Sequence, residues 1–217
     1  MKTTEGLAMT EYVFDIEADG IDATKIHCMI ANGKEVDKSF FEQLTSDDVL
    51  IGHNVIRYDI KVLEELLGIK IKAQLIDTLA LSWYLFPTIN RHGLEQWGER
   101  LKIEKPTITD WENLSREEYL YRCTEDVKIN TKLWGLQKSL LIKIYDGDYQ
   151  PLVRSLSFKM KMAQLQEKSK WKLDVDKANT LLNELELKNE QAINELSKVM
   201  PAVDQIAKRK KPKLPFK

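Results

Sequence analysis

Short apolar runs separated by turn-forming residues occupy the first part of the chain, and this pattern limits the possible folds most strongly. Strands are predicted at Tyr12–Ile16 and Ile26–Ile30. The dipeptide Asn32-Gly33 predicts a tight hairpin that leads into a third strand over Glu35–Phe41. Three sequential strands at the start of the chain therefore provide the beginning of a sheet.

Strands and helices then alternate. The run Val49–Gly52 predicts a short buried strand, and the apolar positions after it predict a helix that ends at Gly68. A second strand and helix follow over Leu75–Leu85. Strands followed by strand-helix alternation predict an α/β architecture, in which helices flank a mixed sheet.

A long helix is predicted next. Ser115 with Glu118 three residues later forms a capping box, which marks a helix that runs to about Ile144. The apolar positions along this segment recur at helical spacing. The segment therefore adds a long amphipathic helix to the predicted sheet.

The remainder of the chain has the pattern of helices alone. Helices are predicted over about Leu152–Lys168 and Val175–Met200, with Asp174 as the cap of the second. We therefore predict an α/β domain over residues 10–146 and an all-helical extension over residues 147–217.

The charge is unevenly distributed. The chain has 217 residues and a net charge of -1, although Lys and Arg fill six of its last ten positions, 208–217. This basic tail is either a solubilising end or a contact for a nucleic-acid backbone.

Cys28 and Cys123 are predicted to be reduced core thiols. Because no apolar stretch is long enough to span a bilayer and no signal peptide is evident, we expect a cytoplasmic protein without membrane contact.

Asp15 and Glu17 end the first apolar run. Side chains two residues apart on a strand point the same way, so the two carboxylates are placed to bind one metal ion. The other interpretation is the solvated face of an edge strand. Asp59, at a strand-to-helix junction, and Asp126, on the long helix, are further candidates for the same site. Asp77 is interpreted as a helix cap.

The four acids Asp15, Glu17, Asp59 and Asp126 resemble those of the DEDD superfamily of 3′-5′ exonucleases. Five ordered blocks extend the resemblance to the proofreading domain of bacteriophage family A DNA polymerases. These blocks are Phe14–Ala18, Gly52–Asp59, Ile76–Ser82, His92–Leu101 and Cys123–Val127. The resemblance implies a ribonuclease H-like fold over the α/β domain.

The resemblance also implies a site for two Mg²⁺ or Mn²⁺ ions. Asp15 is expected to bridge the ions, and Glu17 and Asp126 to complete the site of the ion that activates water. Asp59 is expected to hold the second ion through its water shell. Ligands that offer only oxygen favour these metals over zinc.

The chain departs from the family pattern beside the last acid. Arg122 stands four residues before Asp126, where the tyrosine branch of the family has its water-orienting tyrosine, and Tyr121 stands where the histidine branch has its histidine. Arg122 is expected either to pair with Asp126 one turn away or to bind a phosphate of the substrate. Tyr121 could assist catalysis only if the local helix geometry shifts.

A frayed 3′ end needs stacking surfaces and backbone donors, and the candidates for these contacts are His53, Asn54, Arg91 and His92. An equal alternative for His92 is that it caps the start of a helix. Three tryptophans at helical apolar spacing are assigned to the core instead, namely Trp83, Trp97 and Trp134.

We therefore expect a metal-dependent 3′-5′ exonuclease that releases nucleoside 5′-monophosphates from single-stranded or frayed DNA ends. It would be the proofreading part of a phage replicative polymerase in the infected cell's cytoplasm. Its partners would be single-stranded or primer-template DNA, a polymerase domain in the same or a separate chain, and a replisome or processivity factor. The alternatives are a stand-alone exoribonuclease and a weakly active or inactive DNA-binding module of a split polymerase.

Overall fold

A computed structural model describes residues 10–103, 114–170 and 172–200. Five strands form its sheet, in the order β3-β2-β1-β4-β5. They are β1 (Thr10–Ala18), β2 (Ile26–Ala31), β3 (Lys34–Glu35), β4 (Asp48–Gly52) and β5 (Gln74–Asp77). The pairs β1-β2 and β2-β3 are antiparallel, whereas β1-β4 and β4-β5 are parallel. The predicted mixed sheet is confirmed.

Helices follow or flank these strands. They are α1 (Lys38–Gln43), α2 (Asp59–Leu67), α3 (Thr78–Leu85), α4 (Leu94–Leu101), α5 (Arg116–Tyr145), α6 (Gln150–Ser169) and α7 (Val175–Val199). Both hydrogen bonds of the predicted capping box form between Ser115 and Glu118. Gly68 ends α2 in the left-handed conformation, with φ 64°, and Asp174 caps α7 by accepting a hydrogen bond from the amide of Lys177.

The third predicted strand is wrong over most of its length. The turn itself forms as expected, with Asn32 at φ 48° and Gly33 at φ 77°, but β3 then spans only two residues. The Asp37 carboxylate accepts hydrogen bonds from the backbone amides that open α1. This cap directs Phe41 into the core from a helix, where it is 1% exposed.

The two faces of β1 pack against different helices. Phe14 and Ile16 lie in an apolar cluster with residues of α1, α2 and α6. Val13 lies in a second cluster with residues of α3, α5 and α6. Because side chains alternate along a strand, Asp15 and Glu17 share the face of Val13 and point toward α5.

The chain divides into two compact units, one up to Ser169 and one from Lys170 onward. Helix α6 belongs to the first unit because Val153 and Met160 are buried in the two apolar clusters that pack against β1. The predicted boundary at residues 146 and 147 falls within that unit, between α5 and α6, and a functional division there stays a prediction. The second unit contributes α7, all of whose residues are exposed or partly exposed.

Among the described residues, no helix combines the length and apolar character that crossing a bilayer requires. The basic tail predicted over residues 208–217 lies outside the described part of the chain.

Candidate metal centre

Three acids from the two ends of the α/β domain come together on one face of the sheet. Strand β1 pairs with β4 only as far as Val13, so Asp15 and Glu17 lie on the part of β1 that extends beyond this parallel pairing. Asp126 faces them from α5 and is 5% exposed. One carboxylate oxygen from each of the three residues lies within 4.8 Å of the others.

Asp59 joins this group from another side. It is the first residue of α2 and is 4% exposed. Its carboxylate accepts a hydrogen bond from the amide of Ile16, the residue between Asp15 and Glu17. Burial raises the pKa of Asp59 to about 8, and the negative charges of Asp77 and Glu17 act in the same direction.

Arg122 contacts the cluster through Glu17. Its Nε donates a hydrogen bond of 2.8 Å to Glu17 Oε1, and the two side chains are only 17% and 12% exposed. The bond to Glu17 joins α5 to β1 and places a positive charge beside the acids. The two roles predicted for Arg122, pairing with Asp126 one turn away and binding a phosphate, stay predictions.

Tyr121 lies apart from the acids. Its side chain is 59% exposed, whereas Asp126 is buried. Residues five apart on a helix diverge by about 140°, so α5 keeps Tyr121 away from the acidic cluster. A catalytic role for Tyr121 therefore stays a prediction.

Two buried thiols lie under the cluster. Cys123 donates from Sγ to the backbone oxygen of Asp15 at 3.3 Å. Cys28 stands opposite Glu17 in the β1-β2 register, and the hydrogen bond between the two thiols raises the pKa of Cys123. Both cysteines are reduced and buried, as predicted.

The loop that leads to Asp59 is held by Asp77. One Asp77 oxygen accepts from the amide of Asn54 at 3.1 Å, and the other accepts from the amide of Ile56 at 3.4 Å. The same carboxylate caps α3, as predicted. Burial raises the pKa of Asp77, and its hydrogen bonds with backbone amides oppose that effect. Asn54 adopts φ 64°, a left-handed conformation that asparagine tolerates.

His53 is tied to a polar cluster that sequence reasoning missed. Its Nδ1 lies 3.0 Å from Thr78 Oγ1, which donates to Asn130 Oδ1 at 2.6 Å. Asn130 is 1% exposed and lies one turn after Asp126 on α5. The four-residue spacing between Asp126 and Asn130 was the signal in the sequence that both side chains lie on one side of α5, since residues four apart share a helix face.

His92 has a structural role in this fold. Its Nδ1 lies 2.7 Å from Ser82 Oγ, and its Nε2 donates to the Ile89 carbonyl at 3.0 Å. Both ring nitrogens are therefore engaged within the protein. The neighbouring Arg91 is exposed, and its carbonyl accepts a hydrogen bond from Arg100. Substrate binding by Arg91 and His92 stays a prediction.

The tryptophan assignment is correct for two of three residues. Trp97 and Trp134 are each 4% exposed and belong to the core. The assignment of Trp83 to the core is wrong, because this side chain is 45% exposed and meets the ring of His92 edge to face. The core-facing side of α3 is taken by Thr78, Ala80, Leu81 and Ser82.

The residues present fit a hard divalent cation. Three carboxylates of like charge are gathered in a partly buried space, and such an arrangement is unfavourable without a compensating positive charge. Arg122 supplies part of that charge through Glu17. Ligands that offer only carboxylate oxygen suit Mg²⁺ and Mn²⁺.

Solved structures with a similar fold include NrnC of Brucella melitensis. NrnC bound to pGG aligns with a TM-score of 0.57 and 16% identity, over 80% of this chain and 94% of that one. NrnC with bound Mg²⁺ aligns over the same shares with a TM-score of 0.56 and 16% identity. A structure described as the apo form of the nuclease has a TM-score of 0.56 and 19% identity, over 77% and 90% of the two chains.

At these identities the likeness establishes the fold. No protein-family model matches the sequence, and the comparison with curated proteins also gives no match. The mixed five-stranded sheet with its flanking helices and helical C-terminal region is a ribonuclease H-like fold, and the predicted fold class is confirmed.

Proposed function

We propose that this protein is a metal-dependent 3′-5′ exonuclease of the DEDD type, acting on single-stranded or frayed 3′ ends. The observation that supports this most strongly is the convergence of Asp15, Glu17 and Asp126 within 4.8 Å, with Asp59 bound to the amide between the first two. These four acids come from three distant segments. Their convergence is what phosphodiester hydrolysis by metal ions requires.

Asp15, Glu17, Asp59 and Asp126 are the residues that would hold two Mg²⁺ or Mn²⁺ ions. Such a pair of ions neutralises charge on the scissile phosphate and activates a water molecule for attack. Asp59 is expected to lose its proton when a cation binds, because its raised pKa of about 8 belongs to the metal-free site.

Arg122 has a positioning role in this proposal. The hydrogen bond from its Nε fixes the direction of the Glu17 carboxylate, and a guanidinium group is also suited to bind a phosphate of the substrate. His53 and Asn54 lie on the loop that carries Asp59, and we propose that they contact the terminal nucleotide. A water-orienting role for Tyr121 would require a movement of α5, so we assign it none in this proposal.

We further propose that the substrate is DNA and that the chain serves a phage family A polymerase as its proofreading part. The support is the order and spacing of the five sequence blocks. A polymerase domain would then be the partner, in the same or a separate chain.

Cleavage of short RNA is the second candidate function. The observation that favours it is the similarity of the fold over 94% of NrnC, whose structure holds pGG. The same four acids would serve either substrate, so the two candidates differ in the contacts made to the nucleotide sugar.

The test uses 5′-labelled single strands of DNA and RNA of equal sequence, together with pGG, in Mg²⁺, Mn²⁺ or EDTA. The proposal predicts a ladder that shortens from the 3′ end one nucleotide at a time and is abolished by EDTA. The Asp15→Ala/Glu17→Ala variant should lose cleavage, while Glu65→Gln, which changes an exposed acid on α2, should retain it.

The relative rates on the three substrates decide between the two candidates. Faster shortening of DNA supports the proofreading assignment, whereas a preference for RNA or pGG supports the second candidate. No shortening of any substrate with either metal would contradict the nuclease assignment.

A further inference from the structure

Helix α6 presents an exposed stripe of cationic and apolar side chains. Arg154 and Lys161 are exposed cations on this helix, and Phe158 between them is 60% exposed. Met162 and Leu165 continue the stripe and are 41% and 56% exposed. At 100° per residue these five side chains fall within an arc of about 100°, so they form one surface. We call this surface the α6 stripe.

The opposite side of the same helix is packed in the first unit. Val153 and Met160 are buried, and Ser157 donates from Oγ to the carbonyl of Leu75 on the edge strand β5, at 3.1 Å. The orientation of the helix is therefore fixed by packing. The α6 stripe is consequently a stable feature of the unit's surface.

The charge of the stripe is positive. The acidic member of α6 is Glu167, which is paired with Arg57 and lies beyond the stripe. Within the described part of the chain, no acidic side chain pairs with Arg154 or Lys161. A surface with positive charge in a protein of net charge -1 is suited to an anionic partner.

The stripe leads toward the candidate metal centre. Its first part borders an open groove of about 340 Å³ at the beginning of β4 and β5, lined by Val49, Gln74, Arg154, Phe158 and Lys161 among others. At the other end of α6, Gln164 donates to the carbonyl of Ile56 at 3.0 Å. That carbonyl lies three residues before Asp59. The helix thus runs from the far edge of the sheet to the loop that carries one of the four acids.

We infer that the α6 stripe binds the upstream part of a single-stranded nucleic acid whose 3′ end occupies the metal centre. This inference rests on the proposed function. Arg154 and Lys161 would contact phosphates, and the ring of Phe158 would stack on a base. The distance from Arg154 to Leu165 along the helix is about 16 Å, which gives room for several nucleotides.

The test compares a 12-nucleotide strand with a dinucleotide, because only the longer substrate reaches the stripe. Binding of the labelled 12-nucleotide strand is measured by fluorescence anisotropy in EDTA, and hydrolysis of both substrates is measured with Mn²⁺. For Arg154→Gln/Lys161→Gln, the slope of log affinity against log salt concentration should become shallower by roughly 1.4, because each phosphate contact on a single strand contributes about 0.7.

A second pair of variants tests stacking. Phe158→Leu keeps an apolar side chain without an aromatic face and should weaken binding of the 12-nucleotide strand by about fivefold or more. Phe158→Trp should bind like the wild type. The matched control is Lys159→Gln, which removes an exposed cation from another side of α6. All these variants should hydrolyse the dinucleotide at the wild-type rate, and thermal unfolding confirms that each is folded.

The outcomes separate this inference from the proposed function. If the wild type hydrolyses neither substrate, the proposed function fails, and binding in EDTA still tests the stripe. Wild-type affinity and salt dependence in Arg154→Gln/Lys161→Gln would overturn the inference, as would no binding of the 12-nucleotide strand by the wild type. Equal binding by Phe158→Leu and the wild type would also overturn it and would indicate an apolar protein partner for the stripe.

Discussion

Asp59 and Arg122 set the electrostatic balance of the candidate site, each in a different way. Asp59 is buried and accepts a hydrogen bond from Ile16, and its pKa is raised to about 8. Arg122 offsets the charge of Glu17 directly. The acids could be predicted from the sequence, because a strand places alternate residues on one side. The Arg122 partner could not, because it depends on where α5 crosses β1.

The raised pKa of Asp59 predicts a pH-dependent stability in the absence of metal. Between pH 4 and 8 the folded state holds a proton on Asp59 that the unfolded state releases, so stability falls as the pH rises, by up to about 1.4 kcal/mol per pH unit. Asp59→Asn removes this contribution. Urea unfolding in EDTA at pH 5, 6, 7 and 8 should show the wild type losing stability relative to the variant.

A constant difference between the two proteins across that range would contradict the assignment of the pKa to Asp59. Glu65→Gln provides the control, since it removes an exposed carboxyl from the same helix and should follow the wild type at each pH.

The ion pair of Arg122 with Glu17 predicts a second effect on stability. Arg122→Gln should lower the free energy of unfolding in EDTA by about 2 kcal/mol, because it leaves clustered carboxylates without this positive charge. Mg²⁺ should reduce the loss. Arg116→Gln is the matched control: it breaks an ion pair with Glu35 whose side chains are 57% and 44% exposed, which is worth roughly 0.5 kcal/mol or less.

Equal losses in the two variants, or a loss in Arg122→Gln that Mg²⁺ leaves unchanged, would show that the pair has no special connection with the metal centre. Urea unfolding curves with EDTA and with Mg²⁺ give both quantities.

At the scale of elements, local signals explain which predictions succeed. The start of helix α5 could be predicted because its capping box is formed by Ser115 and Glu118, which lie within one four-residue segment of the sequence. The strand predicted over Glu35–Phe41 failed because apolar residues suit either a strand or a buried helix, and the Asp37 cap selects the helix. The loop from β4 to α2 depends on Asp77, a residue distant in sequence, so its shape was beyond local reasoning.

Gly52→Ala tests how tightly the β4 end of that loop is packed, and Gly135→Ala on α5 provides the comparison. A Cβ added at Gly52 would lie 2.7 Å from Val55 Cβ, and Val55 is fully buried. Gly52→Ala should therefore destabilise the protein by roughly 1–3 kcal/mol. Gly135→Ala, on the exposed side of α5 with no atom within 4 Å, should stabilise it by about 0.5–1 kcal/mol. Thermal and urea unfolding measure both changes.

A tolerated Gly52→Ala substitution with unaltered stability would mean that the junction between β4 and the loop to Asp59 is less constrained than the packing indicates. A destabilising Gly135→Ala would point to a contact on that side of α5.

At the scale of the whole molecule, the α/β pattern of the first half was sufficient to predict a mixed sheet flanked by helices, whereas the ribonuclease H-like fold was implied by the family resemblance. The unit to which α6 belongs was harder to predict. Its amphipathic pattern shows that one side of the helix packs, but it does not show which part of the protein that side packs against. The structure places Val153 and Met160 in the clusters of the first unit. Sequence reasoning therefore located the end of the strands, whereas the end of the compact unit depends on tertiary packing.

Truncation tests this division. A chain that ends at Ser169 should fold with a melting temperature within a few degrees of the full chain, because the buried residues of the two apolar clusters described above, and those of a smaller cluster of Trp97, Ile129 and Leu133, all precede that position. It should also keep its metal binding. A truncated chain that is unfolded, as measured by circular dichroism, would show that residues 170–217 are required for the first unit.

The most direct test of the metal centre is calorimetric titration of the full chain with Mn²⁺. The four-acid site predicts measurable binding to the wild type and to Glu65→Gln. For Asp126→Asn, which removes the acid that α5 contributes, the affinity should fall by at least about tenfold. Wild-type binding by Asp126→Asn would contradict the assembly of one metal site from β1, α2 and α5.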